Sequence, residues 1–244
     1  MTQETPTVVL VHGAFADSSS WNGVIERLLR NNVKATAPAN PLRGIAHDSA
    51  YLASIFAQTT GPVLAVGHSY GGAVITNAAS AATNVVGLVF VAAFAPDEGE
   101  TLGEATDASK DSVLNSALVP LTYPSGAGTA VEFAIDPTKL QDAFAADLAA
   151  EQAALLAATQ RPVAEAAFSE TSGPAAWKRL PSWTVLATAD KAAGTDIVRS
   201  QAERAGATIT EIEGSHVIMV SQPQAVTEVI LAALARVQAP VEVG

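Results

Sequence analysis

Short apolar runs alternate with longer stretches of helical spacing at both ends of the chain, and the two periods separate strands from helices. The runs Thr7 to Val11, Val33 to Ala37, Val63 to Val66, Val86 to Ala92, Thr184 to Ala187 and Thr208 to Ile212 read as strands. They are too apolar for a sheet with one wet face, so both faces are expected to be covered. Trp21, Val24, Ile25, Leu28 and Leu29 make a helical stripe behind Asp17 and Ser18-Ser19-Ser20, which supply N-cap candidates. Tyr51, Leu52, Ile55 and Phe56 make a second stripe. Val226, Val229, Ile230, Ala233 and Leu234 make a third, opened by Pro223 at a first helical position. This alternation predicts an α/β fold: a mostly parallel, about six-stranded sheet with helices on both faces.

The alternation breaks between 97 and 181, where Gly, Pro and Ser turns give way to alanine-rich helical sequence. Asp136-Pro137 reads as the cap and first residue of a helix running through Leu148, and Glu151 to Ala158 continues the pattern. The expected organisation is therefore a core of 1–96 and 182–244 with a helical cap inserted at 97–181. An insertion after the fourth strand and before the fifth lies over the carboxyl ends of the strands, where open α/β sheets bind ligands, which makes it a lid.

One motif falls where strand gives way to helix. Gly67-His68-Ser69-Tyr70-Gly71 follows the apolar run Pro62 to Val66 and precedes the helical Ala73 to Ala82, the context of a Gly-x-Ser-x-Gly nucleophile elbow. Glycines flank the serine because so tight a turn leaves no room for side chains.

A serine hydroxyl needs a base to take its proton, normally a histidine oriented by a carboxylate. The chain has four histidines. His68 lies inside the elbow and is expected to pack beside the turn, and His47, near Arg43 and Asp48, is expected at the surface. His12 follows the first strand and is read as a brace for the loop there. His216, in Gly214-Ser215-His216 after the last strand, can be delivered to the elbow and is the chosen base. The run Thr184 to Asp190 ends in an acid at a strand's carboxyl end, so Asp190 is the first choice of carboxylate. Asp196, otherwise a cap for the helix of Ile197 and Val198, competes, and Asp97 is a more distant candidate. The order Ser69, Asp190, His216 is serine, acid, histidine. Oxyanion donors are expected from the amide of Tyr70 and, where Gly13 lets the loop after the first strand turn inward, from that of Ala14. Phe15 and Trp177 are named as substrate-pocket walls.

Bulk properties narrow the partners. The 244 residues are 49% hydrophobic and 15% charged, enough for one large core. A formal net charge of -11 argues against nucleic acid and anionic membranes. The absence of cysteine excludes disulfides, thiolate catalysis and cysteine-ligated metals. The longest apolar run, Val85 to Pro96, is broken by Gly87 and falls short of the roughly 18 residues of a membrane span. No basic region precedes an apolar stretch at the N-terminus, so the cytoplasm is the expected location.

His12-Gly13-Ala14, Gly67 to Gly72, Asp190 and Gly214-Ser215-His216 together resemble the α/β-hydrolase superfamily, in particular small single-domain members similar to plant methyl esterases and hydroxynitrile lyases and their bacterial relatives. The resemblance spans nearly the whole chain. It implies an α/β-hydrolase fold and a serine hydrolase with Ser69 as nucleophile, His216 as base, Asp190 as orienting acid, and Ala14 and Tyr70 as oxyanion donors. It implies no cofactor and no metal. The expected activity is hydrolysis of a small to medium, fairly apolar carboxylic ester through an acyl-enzyme, the expected partner that small molecule, and the assembly a monomer or homodimer. Ser69 departs from the aspartate of members similar to epoxide hydrolases and dehalogenases. Lyases similar to this chain often place a lysine near the acid, as Lys191 is placed here, but His12-Gly13 looks more like an esterase loop than the lyases' His-Thr or His-Asn. Carbon-carbon cleavage and a receptor that retained the pocket are the alternatives.

Overall fold

The computed structural model describes residues 4–238. Its first half runs β1 (Thr7–Val11), α1 (Asn22–Arg30), β2 (Ala35–Thr36), α2 (Ile45–Gln58), β3 (Val63–His68), α3 (Tyr70–Ala81) and β4 (Val85–Val91). The insertion follows as α4 (Leu102–Ala108), β5 (Leu118–Ser125), β6 (Gly128–Ile135), α5 (Leu140–Phe144), α6 (Ala150–Thr159), β7 (Val163–Ala164) and α7 (Ala166–Ser169). The chain then returns through β8 (Ser182–Ala187), α8 (Thr195–Arg204), β9 (Thr208–Ile212), α9 (Ile218–Ser221) and α10 (Pro223–Gln238).

Six strands pair in the order β2-β1-β3-β4-β8-β9, every pairing parallel. Alternate side chains feed opposite layers, as the two-residue period of a strand requires. Val8, Leu10, Leu64 and Val66 pack with Trp21, Val24 and Leu28 of the α1 side and with Val226, Ile230 and Leu234 of α10. Val9, Val11, Ala65 and Phe90 pack with Leu52, Phe56, Val74 and Ile75 of α2 and α3. Each fully buried Val, Leu, Ile or Phe here stabilises the fold by about 1.5–3 kcal/mol relative to leaving it in water. None of the described helices is long and apolar enough to cross a membrane.

Four expectations change. The second strand shrinks from Val33–Ala37 to Ala35–Thr36, because this edge strand pairs with β1 only at Val8↔Ala35 and Val9↔Thr36. Strand β9 is an edge as well, with Thr208 and Glu211 exposed, so it is not covered on both faces. Leu29 and Tyr51, placed on inward stripes, are exposed because α1 and α2 bury narrower faces than the pattern implied. The insertion is helical only in part. An antiparallel hairpin, β5–β6, occupies its centre, with β7 paired to β6. The expected helix from Asp136-Pro137 to Leu148 is reduced to α5, because Asp136 closes a turn onto the Thr138 amide and hydroxyl and the helix begins only beyond it.

Arg43, in the loop before α2, holds the hairpin against the core. Its guanidinium lies 4.3 Å from the Tyr123 ring centroid and 2.7 Å from Glu132 Oε2. Strand β7 is tied down by its backbone, the Ala164 amide donating to Leu42 O at 2.9 Å.

Candidate active site

The elbow sits where β3 enters α3. Ser69 takes φ 52° and ψ -123°, a left-handed φ that a non-glycine residue holds only when its surroundings enforce it. Those surroundings are backbone. A Cβ on Gly71 would lie 2.5 Å from Val11 O, and one on Gly67 2.5 Å from Gly71 O, so only hydrogen fits on either side of the serine.

His216 meets Asp190 at the carboxyl ends of β8 and β9. Nδ1 of His216 lies 2.8 Å from Asp190 Oδ2, and both side chains are 1% exposed. A carboxylate accepts, so Nδ1 carries a proton, and in the neutral ring it is Nε2 that has the lone pair. The other oxygen, Oδ1, is held by the Ala192 and Ala193 amides at 2.9 and 3.0 Å, which orients the carboxyl toward the histidine. No hydrogen bond joins the Ser69 hydroxyl to His216 among the described contacts, a looseness common before substrate draws such groups together.

The loop after β1 presses on Ser69. A Cβ on Gly13 would fall 2.6 Å from Ser69 Cβ and 2.8 Å from His68 O, so this glycine permits the approach. Ala14 and Tyr70 are both buried, at 3% and 1% exposure. Neither amide is engaged by an acceptor among the described hydrogen bonds. The Tyr70 side chain is anchored away from the site: its hydroxyl donates to Asp48 Oδ2 at 2.9 Å, and burial together with that carboxylate raises its pKa well above the ordinary phenol range.

The other histidines divide by environment. His47 is exposed, as expected, although its neighbour Asp48 is fully buried and accepts from the Arg43 amide. His68 does more than pack: its Nε2 donates to His216 O at 3.0 Å and its ring centroid lies 4.7 Å from that of His216. Burial first, then the neighbouring His216, pushes its pKa well below the ordinary imidazole value. His12 braces the loop, with Nδ1 donating to Gly13 O at 2.9 Å and Nε2 accepting the Asn40 amide at 2.9 Å. Burial lowers its pKa to about 4.

The rival acids are engaged elsewhere. Asp97 pairs with Lys178 at 2.5 Å. Asp196 turns across to the insertion, accepting from the Ser109 hydroxyl and the Lys110 amide at 2.6 and 2.8 Å. Phe15 is buried and meets Phe144 edge-on, with centroids 6.1 Å apart. Trp177 contacts other groups: its indole N–H donates to Pro96 O, and Lys178 and Arg204 lie over its ring.

Sequence reasoning missed the insertion's contributions. The Phe144 ring lies 4.9 Å from that of His216, and Asp147 accepts a hydrogen bond from the Ser215 hydroxyl. Arg161 donates to Asn40 O at 2.9 Å and lies 3.3 Å from His12 Nε2, linking the insertion to the loop after β1. These pairs are 68 to 149 residues apart, beyond any local pattern.

Comparison with known proteins agrees with this architecture. The model of the alpha/beta hydrolase family matches residues 8–229, and the chain belongs to that family. Among solved structures, polyneuridine aldehyde esterase superposes with a TM-score of 0.79 at 21% identity, covering 94% of this chain and 99% of that one. A variant of tomato methylketone synthase I complexed with beta-ketoheptanoate gives 0.78 at 20%, with 96% and 99% covered. A pyrethroid hydrolase from Sphingobium faniae JZ-2 gives 0.74 at 19%, with 97% and 99% covered. No curated protein sequence matches.

Proposed function

We propose that this chain is a serine hydrolase that cleaves a small to medium apolar carboxylic ester through an acyl-enzyme. The observation that carries the reading is the buried His216–Asp190 pair at the mouth of an elbow whose serine is held at φ 52°. Ser69 Oγ attacks the ester carbonyl while His216 Nε2 takes its proton, and Asp190 stabilises the imidazolium. The Ala14 and Tyr70 amides meet the oxyanion, with a rate effect of about a hundredfold or more per donor. His216 then returns the proton to the departing alcohol, and water, deprotonated by the same histidine, releases the acid.

Phe15 and Phe144 give the site apolar walls, which favours an uncharged substrate over a polyanion. The insertion acts as a lid in this reading, its Phe144 ring lies against His216, and Ser69 is only 7% exposed. Esterase and hydrolase names among the similar folds favour hydrolysis. Lys191, the residue that gave the lyase alternative its footing, is exposed.

The test is turnover of p-nitrophenyl acyl esters together with labelling by a serine-directed phosphonate. Ester hydrolysis abolished by Ser69→Ala, with the label mapped to Ser69, is the expected result. Full activity in that variant would defeat the proposal, and cyanide release from mandelonitrile without ester turnover would replace it with the lyase reading.

A further inference from the structure

Asp147 lies in the insertion just past α5, yet its carboxylate reaches the loop that carries His216. Oδ1 accepts from the Ser215 hydroxyl. Oδ2 is 2.7 Å from where a Gly214 Cβ would stand, so the glycine leaves room for the carboxylate to approach. Burial raises the Asp147 pKa, but hydrogen bonding from Ser215 and then Ser221 outweighs it and the group lies below the usual aspartate value. Three residues earlier, Phe144 covers the His216 ring with centroids 4.9 Å apart. One short segment of the insertion thus touches both the histidine and the residue before it.

We infer that Asp147 is a positioning residue for His216: through Ser215 it fixes the loop bearing the base, so that closing the insertion and aligning the histidine are one event. The inference rests on His216 being the base in the proposed reaction. A segment that left the elbow would take Asp147 and Phe144 with it, leaving the Ser215 side chain untied while His68 still holds the His216 carbonyl. The Asp190 and His68 bonds then hold only Nδ1 and the carbonyl oxygen of His216 while the residue before it is loose, and a displacement near 1 Å costs about a hundredfold in rate.

The experiment uses Asp147→Ala, the near-isosteric Asp147→Asn, Ser215→Ala, Ser215→Thr and the double variant Asp147→Ala/Ser215→Ala. Their kcat and KM on a p-nitrophenyl ester are measured together with thermal melting and the far-downfield proton signal of His216 Nδ1–H, assigned by its loss in His216→Ala. Asp147→Ala and Ser215→Ala should each lower kcat about 10- to 100-fold with KM changed less than about threefold. The double variant should be no worse than either single one, because both break the same link. Ser215→Thr, which keeps the hydroxyl, should restore most of the rate, and the Nδ1–H signal should broaden in both alanine variants. Folded variants with unchanged kcat and an unchanged signal would overturn the inference, as would losses that simply add. If Asp147→Ala does not fold, Ser215→Ala decides by the same criteria, while Asp147→Asn, whose amide oxygen can still accept from Ser215, should keep most of the rate. The proton signal needs no substrate, so it reports on the link even if Ser69→Ala shows the ester reading to be wrong.

Discussion

His68 Nε2 lies 3.0 Å from the carbonyl oxygen of His216, and because a carbonyl only accepts, the proton must sit on Nε2 of His68. The residue before Ser69 therefore holds the backbone of His216, the base in the proposed reaction. Replacing it with alanine removes this bond and leaves a cavity among Trp21, Phe144 and His216. His68→Ala should lose about 2–4 kcal/mol of stability in denaturant unfolding. It should also lower kcat/KM about 10- to 100-fold. Undiminished turnover in a folded variant would show that the His216 backbone stays in place without the tie.

Gly13→Ala puts a methyl group 2.6 Å from Ser69 Cβ and 2.8 Å from a backbone oxygen that cannot swing aside. The loop must back away and carry the Ala14 amide with it. A fall in kcat of about a hundredfold or more is expected, the size of a lost oxyanion donor, with little change in melting temperature beyond a few degrees. Steady-state kinetics beside a thermal melt checks both halves. A rate within about threefold of the parent would mean that Ala14 is not a donor.

His12 makes stability depend on pH in a defined direction. Burial holds its folded pKa at about 4 against an ordinary 6.5. Between those values the unfolded chain binds a proton that the folded one does not. The contribution is complete above pH 6.5 and is lost as pH falls toward 4. At about 1.4 kcal/mol per unit, the gap amounts to about 3 kcal/mol. His68, also held neutral by burial, acts in the same sense. Urea unfolding from pH 7 down to pH 4 should show this slope, and His12→Asn should flatten it while costing some stability at pH 7. An unchanged slope would assign the loss to other groups.

The parts of this molecule legible in sequence share a physical cause. Strands β1, β3, β4 and β8 are covered on both faces, so they read as unbroken apolar runs, and residues at their carboxyl ends, Ser69 and Asp190, could be placed from those runs alone. Hairpin β5–β6 is half-exposed on both faces, with Pro120 and Pro124 inside β5, and carries no such signature. Phe144 and Asp147 sat within an alanine-rich stretch whose helical propensity was plain and whose partners, His216 and Ser215, were not. Contacts across the seam between insertion and core depend on where the insertion lands, and no local periodicity encodes that.

The burial of Ser69, 7% exposed, beside a His216 ring covered by Phe144, also bears on the fate of an acyl group formed in the proposed reaction. An acyl carbon in a site walled by aromatic rings goes to whichever nucleophile is admitted first, and a departing alcohol is already inside when bulk water is not. Alcoholysis would then compete with hydrolysis at modest alcohol concentrations. The same architecture that shields the serine would make an esterase of this build a transesterification catalyst, its product ratio set by the opening of the insertion.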